Sequence, residues 1–227
     1  QGIGRAAALA LAGAGCAVAL AARTASDLDR VAEEIRAMGG RALAVPTDVA
    51  NEGEVETLVR RTLAEIGPID ILVNDAGTNT RKPIWEVTTE DWQRILGVNT
   101  TGTFFCTRAV LPTMMERRSG KIINVSSMAG KIASPTRSAY SAAKFGVVGF
   151  GQAIQRELNE YGITISTVFP GPIATAMRRK NNPGEDPSGL VKPEEVGEAI
   201  LFLATRSSNA VIPELAIYPR SFIAGAE

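Results

Sequence analysis

The chain contains no histidine. Ser-His-Asp hydrolysis and His-ligated zinc both need an imidazole, so neither chemistry is open to it. Any general base must be a carboxylate, a lysine or a tyrosine. Cysteine is nearly as scarce. Cys16 and Cys106 are the only two among 227 residues, and both lie in apolar or helical stretches, which reads as reduced core thiols in a reducing, cytoplasmic setting rather than a disulfide framework. A net charge is lacking too. Lys+Arg and Asp+Glu each number 24, so no global field draws the chain to nucleic acid or to a membrane, although local basic patches remain open. The uncharged stretch from Ala6 to Ala22 imitates a secretory signal with an Ala19-Leu20-Ala21 cleavage site. Its pattern runs straight on into a domain, however, and Gly13 and Gly15 mark a helix end before a buried strand.

What the chain does have is core material. Hydrophobic residues make up 45% of it, enough for one α/β domain over residues 1–227 with a substantial interior. Short apolar runs rich in β-branched residues alternate with longer amphipathic stretches, the pattern of βαβ units and of a parallel sheet covered on both faces. Helices are expected over Gly4 to Ala14, from a Ser26-Asp27 cap to Met38, and over Asn51 to Ile66, with strands at Cys16 to Ala22, Arg41 to Val45 and Ile69 to Val73. Further helices are expected at Thr89 to Leu96, Thr101 to Arg117, Ser138 to Tyr161 and Pro193 to Thr205. Further strands fall at Lys121 to Val125, Ile163 to Phe169 and Glu214 to Tyr218. The right-handed crossover rule winds these units into a doubly wound, Rossmann-like parallel sheet with ligands at the carboxyl ends of its strands. Such a sheet normally has a strand before Gly2, in its middle. The chain is therefore expected to be N-terminally incomplete, with its first strand missing and neighbouring strand edges exposed.

Thirteen positions separate Ser127 from Tyr140, and Lys144 follows four later. On a helix beginning near Ser138, positions i and i+4 share a face, which sets the Lys144 ammonium beside the Tyr140 phenol. A neighbouring cation is expected to lower a phenol pKa that starts at about 10. Ser127, at the end of an apolar strand, can donate a hydrogen bond to the same substrate oxygen. A lone Tyr-x-x-x-Lys is more often a helical surface pair, and Ser126, pointing to the other side of the strand, is a rival to Ser127. Gly2-Ile3-Gly4 opens a helix, where free N–H groups and the helix dipole suit a pyrophosphate, though such a pair is usually only a turn. About twenty residues on, NAD-binding sheets carry an acid for the ribose 2′-hydroxyl. Here the strand ends Ala21-Ala22-Arg23-Thr24. The missing acid and the guanidinium of Arg23 favour NADP(H) over NAD(H), unless Arg23 is a solvated strand end.

Taken together, these spacings resemble the short-chain dehydrogenase/reductase family along nearly the whole chain. The resemblance implies an oxidoreductase moving a hydride between NADP(H) and a ketone, an aldehyde or a secondary alcohol, with no metal. Tyr140 is then proton donor or acceptor, Ser127 stabilises the alkoxide, and Lys144 tunes Tyr140 and binds the nicotinamide ribose. Asn99, in Gly97-Val98-Asn99-Thr100, resembles the family's helix-kink asparagine, which holds a water that relays protons to the lysine. Gly2-Ile3-Gly4 resembles the second half of the family's Thr-Gly-x-x-x-Gly-x-Gly loop. Asp48-Val49 resembles its adenine-contacting pair, the alternative being a turn or cap aspartate. Asn74-Asp75-Ala76-Gly77 resembles its Asn-Ala-Ala-Gly motif under the nucleotide, with Asp75 where a small alanine is usual. Pro170-Gly171-Pro172-Ile173-Ala174-Thr175 resembles the loop that holds the carboxamide, through the Ile173 backbone and the Thr175 hydroxyl; without the family it is a proline-rich strand exit.

The substrate side is less legible. Residues 177–190, polar and bearing glycine and proline, suit a mobile lid. Arg178, Arg179 and Lys180, with Lys131 and Arg137, can receive an anionic or phosphopantetheine-linked substrate, as in 3-oxoacyl-[acyl-carrier-protein] reductases, or can simply be solvated. The tail Ile212 to Pro219 resembles that of hydroxy-acid and short-chain alcohol dehydrogenases and lacks the Asp-Gly-Gly of the 3-oxoacyl reductases. A general ketone or aldehyde reductase is therefore the first reading and a 3-oxoacyl reductase the alternative. A non-catalytic nucleotide-binding scaffold is the rival of another class. The family's members usually pair two long helices into dimers or tetramers, so Phe105, Ala109, Val110, Val147 and Phe150 are open to an interface or to the core.

Overall fold

Six strands and the helices between them follow the expected alternation in a computed structural model, which describes residues 2–207 and 209–224. In chain order the elements are α1 (Gly2–Gly13), β1 (Val18–Ala22), α2 (Ala25–Ala37), β2 (Ala42–Pro46), α3 (Glu52–Glu65), β3 (Ile71–Asn74), α4 (Thr89–Leu96), α5 (Gly102–Arg117) and β4 (Gly120–Val125). They continue with α6 (Ser138–Leu158), β5 (Ile163–Pro170), α7 (Ala176–Asn181), α8 (Pro193–Ala204), β6 (Glu214–Ile217) and α9 (Arg220–Ala224). Local chemistry sets several starts. The Asn51 side chain accepts the Glu54 N–H, Thr88 accepts that of Asp91 and Thr175 that of Arg178, each satisfying a helix N–H that has no partner within the helix. α2 departs from expectation: Thr24, not Ser26, is its N-cap, and its side chain makes no capping bond.

All strand pairs are parallel. Their order is β2-β1 in one sheet and β3-β4-β5-β6 in the other, so the chain winds outward in two directions and the doubly wound order is interrupted between β1 and β3. The edges that β1 and β3 turn away from β2 and β4 have no strand partner among the described residues. Every residue of β3 is half-buried. By contrast, every residue of β4 except Lys121, and of β5 except Thr164, is buried, as expected of strands covered on both faces.

Alternation along those strands separates two core layers. Ile123, Val125 and Val168 face α1 and α8 in a cluster with Ala7, Leu11, Val196 and Ile200, and Val18 and Ile71 flank the same cluster. Ile122, Ile163 and Ile165 face α3, α5 and α6, against Val59, Val110, Met114 and Ile154. Val110 and Val147 are core residues, each 1% exposed, which settles two of the five ambiguous positions on α5 and α6. Both cysteines are free, and burial pushes the Cys106 thiol up to about 11. None of the described helices is long and apolar enough to cross a membrane.

The alanine-rich α1 lets α8 approach closely. A Cβ on Gly197 would fall 2.8 Å from the Ala6 carbonyl carbon and oxygen, inside contact distance with backbone that cannot swing away. Gly197→Val is therefore expected to destabilise the protein by about 1–3 kcal/mol. Gly189→Ala, where nothing lies within 4 Å, should shift it by less than about 0.5 kcal/mol. Urea denaturation midpoints of the two variants check this, and equal midpoints would contradict the packing argument.

Candidate active site

Three segments from distant parts of the sequence meet at the carboxyl ends of β3 and β4. Ser127 follows β4 and caps a single turn over Met128–Gly130, its hydroxyl accepting the Ala129 N–H at 3.2 Å. Tyr140 and Lys144 lie one turn apart near the start of α6. Asn99 sits in a wide turn, Gly97–Thr101, that joins α4 to α5 with i→i+5 geometry, a form that often marks functional positions. The two serines separate cleanly. Ser126 is buried and donates to the Lys144 carbonyl at 3.2 Å, whereas the Ser127 side chain hydrogen-bonds Tyr140.

Lys144 is buried, 4% exposed, and its ammonium donates to the Val125 carbonyl at 2.8 Å. It lies 5.7 Å from the centre of the Tyr140 ring. One of its three N–H donors is thereby used, leaving two for a ligand. Burial lowers the Lys144 pKa to about 8, opposed by the Asp75 carboxylate. The expectation that Lys144 lowers the phenol pKa is reversed here: burial raises Tyr140, opposed by the Ser127 hydrogen bond and by Arg137, with Asp75 adding to the rise. Desolvation disfavours the phenolate more than Ser127 and Arg137 favour it, so Tyr140 is held in its acid form at neutral pH.

Asn99 is fully buried, and its amide donates to the carbonyls of Thr78 and Ile95, each at 2.8 Å. Its side-chain oxygen is buried and has no partner. A Cβ on Gly77 would fall 2.9 Å from that oxygen and 3.6 Å from the Lys144 ammonium, so Gly77 is where the two groups converge. The Asn74 amide braces the strand ends, donating to Asn124 at 2.9 Å and to Thr107 at 3.2 Å, while Ala76 is exposed beside it.

The remaining positions expected at the cofactor lie along the same strand ends. Arg23 is exposed at the end of β1. Asp48 folds its own turn, accepting the Ala50 N–H at 3.0 Å, and Val49 packs against Gly102 at the start of α5. The side chain of Thr175 lies next to Gly2, and the Thr175 hydroxyl caps α7. Gly171 donates its N–H to the Ile217 carbonyl at 2.8 Å, Pro170 is buried at the end of β5, and the Ile173 side chain is buried in the core. Ile3 packs against the same core cluster. Asp75 was unplaceable from sequence. Its carboxylate accepts the N–H of Gly4 in the first turn of α1 and faces Lys144, and burial raises its pKa. It therefore occupies one of the N–H donors that the sequence offers to a pyrophosphate.

On the substrate side the expected basic cluster is divided. Lys131 pairs with Glu214 and lies 4.2 Å from the centre of the Phe169 ring, away from the others, and Arg179 and Lys180 are exposed. Arg137 and Arg178 remain together and are joined by Arg81, whose position in a loop after β3 carries no periodic or motif signal in the sequence. Residues 177–190 form α7 and an exposed loop, pinned at both ends where Ala174 donates to the Val191 carbonyl at 2.9 Å and Val191 to that of Pro172 at 3.2 Å.

The ordinary lysine pKa is 10.5, against about 8 for Lys144. Between those values the unfolded chain keeps a proton that the folded chain has released, so stability rises with pH across that window. Lys144→Met removes this slope. Its unfolding temperature relative to the parent protein is expected to be more favourable at about pH 7 than at about pH 10, and a difference that stays constant over that range would contradict a buried, depressed Lys144.

Three comparisons bear on this geometry. The family model for short chain dehydrogenase matches residues 1–186. A 3-oxoacyl-[acyl-carrier-protein] reductase of Synechocystis sp. is 42% identical over 220 residues, covering 93% of this chain and 88% of that protein. A putative gluconate dehydrogenase from Agrobacterium tumefaciens superposes with a TM-score of 0.90 at 30% identity, covering 96% of this chain and 90% of that one. A metagenomic short-chain oxidoreductase in complex with NADP superposes with a TM-score of 0.85 at 29% identity, covering 96% and 92%. With a parallel α/β fold and a family match over most of its length, the chain belongs to the short-chain dehydrogenase family.

Proposed function

We propose that the protein is an NADP(H)-dependent reductase of ketones or aldehydes, acting reversibly on the corresponding secondary or primary alcohols. The observation that carries this reading is a half-buried tyrosine, held as an acid, hydrogen-bonded to Ser127 and standing over the Lys144 ammonium. In the reducing direction Tyr140 gives its proton to the developing alkoxide, and the Ser127 hydroxyl donates to the same oxygen. The Lys144 cation stabilises the phenolate left behind. The unpartnered Asn99 oxygen, converging with Lys144 on Gly77, is placed to accept a bridging water through which Tyr140 and Lys144 are reprotonated.

The residues at the strand ends fit a nicotinamide dinucleotide. Lys144 has two N–H donors left for a ribose diol, the first turn of α1 lies against Asp75 and Thr175, and Arg23 stands exposed at the end of β1. The adenine end falls to Asp48 and Val49, the middle to Gly2, Ile3, Gly4, Asn74, Ala76 and Gly77, and the carboxamide end to Pro170, Gly171, Ile173 and Thr175. When bound, the nucleotide supplies or takes up the hydride. Arg23 and the NADP complex of a 29%-identical relative support the 2′-phosphorylated form. The exposed segment 177–190 acts as a lid within a single catalytic domain. A cytoplasmic location, and self-association through the face of α5 and α6 where Phe104 and Phe145 are 38% and 45% exposed, complete the reading. The 42% identity to a 3-oxoacyl-[acyl-carrier-protein] reductase favours a thioester-linked substrate as the second reading.

A panel of ketones, aldehydes and 3-oxoacyl thioesters with NADPH tests both readings. Tyr140→Phe is expected to lower turnover at least about 100-fold with little change in NADPH affinity by fluorescence titration. Full activity in that variant would end the mechanism. Arg23→Asp removes a charge-assisted contact, so the NADPH-to-NADH ratio of kcat/KM should fall by about 10–100-fold, and an unchanged ratio would remove Arg23 from the cofactor site.

A further inference from the structure

Arg137 stands beside Tyr140, and two further guanidinium groups from separate parts of the chain gather around it. Arg137 is the N-cap residue of α6, three positions before Tyr140 and so its neighbour on the helix surface. The loop carrying Arg81 runs alongside, because Lys82 donates its N–H to the Thr136 carbonyl at 3.0 Å. Arg81 in turn reaches the end of α7, donating to the Asn181 carbonyl at 3.1 Å and to the Asn182 side chain at 2.7 Å. Arg178 comes from α7 itself and pairs with Glu185.

The charges in this corner do not balance. Among the described residues, Glu185 is the one carboxylate interacting with all three guanidiniums, while Lys82 is matched separately by Asp91 at 2.6 Å. Arg178 takes both Glu185 oxygens in a fork. Arg81 is spent on neutral acceptors. Arg137 is left over: its Nε is buried without a hydrogen-bond partner, as is the hydroxyl of Ser138 beside it. Burial and the repulsion of Arg81 and Arg178 both disfavour its charge, whereas Tyr140 and Glu185 favour it. A half-buried guanidinium with an unfilled donor, among like charges, is costly unless an anion completes it. A solvated basic face would not bury that donor.

We propose that Arg137, flanked by Arg81 and Arg178, binds an oxyanion carried by the substrate itself, so that the preferred substrates are keto acids or phosphorylated carbonyl compounds with the anionic group a few bonds from the reacting carbon. The assignment rests on the reductase reading, since it takes Tyr140 as the place where the carbonyl sits. It differs from the thioester alternative, in which the anion lies at the far end of a long arm. A carboxylate or a phosphate meets the same requirement of two acceptor oxygens for a planar fork.

The test compares matched pairs with NADPH and the full chain: keto acids against their primary amides, and dihydroxyacetone phosphate against dihydroxyacetone. The parent protein is expected to favour the charged member by about 10–100-fold in kcat/KM, mostly through KM. Arg137→Gln should bring that ratio to within about threefold of one, Arg137→Lys should restore part of it, and Arg156→Gln, on an exposed part of α6, should leave it alone. Which pair shows the larger ratio identifies carboxylate or phosphate. A parent ratio near one, or an Arg137→Gln variant that loses charged and neutral substrates equally, would overturn the proposal. If neither member of any pair is reduced, the reductase reading has failed, and calorimetric titration decides this proposal alone. Hydroxy acid or sugar phosphate binding over the neutral partner, lost in Arg137→Gln, supports it, and equal binding of both overturns it.

Discussion

The site is organised around one buried cation. The Lys144 ammonium has left water almost completely, and the Val125 carbonyl at 2.8 Å compensates only part of that loss. A charge in that position fixes what surrounds it. α6 must meet the end of β4 so that the carbonyl is within reach, and Asp75 must stand close enough to oppose the depression of the lysine's pKa. The unpartnered Asn99 oxygen must face the same point beside Gly77. The wide turn at Gly97–Thr101 belongs to this arrangement, because it places Asn99 at full burial in the middle of an otherwise continuous helical run.

The tyrosine beside it is half-buried and is shaped by the same desolvation. Local spacing argues for a phenol activated by the lysine four residues on, yet the ammonium is committed to a backbone carbonyl, and desolvation raises Tyr140 instead. The protonated phenol and the partly depressed lysine are properties of the packed site, since neither residue would behave so on an isolated helix.

Much of the fold was legible because its signals are local. Alternating apolar runs identified every strand within a few residues; spacing brought forward Ser127, Tyr140 and Lys144 as candidates, and resemblance brought forward Asn99. Other features were not, and for a common reason. Arg81 lies in a loop with no periodicity, and its value comes only from the backbone bond between Lys82 and Thr136 that carries it to Arg137. Lys131 looked like a partner of Arg137 in sequence but is turned away to Glu214. Asp75 broke a motif without indicating where its carboxylate would go, and Gly4, far off in sequence, is what receives it.

By itself, the sequence determined the chemistry available: without histidine, proton transfer must rest on tyrosine, lysine and carboxylates, and a parallel α/β sheet must gather them at its strand ends. Tertiary structure decided how those groups behave. Which serine faces Tyr140, which way its pKa moves, and which arginine keeps a buried donor without a partner all depend on burial and on contacts between residues far apart in the chain. Desolvation and long-range charge are properties of the folded surroundings, not of neighbouring letters.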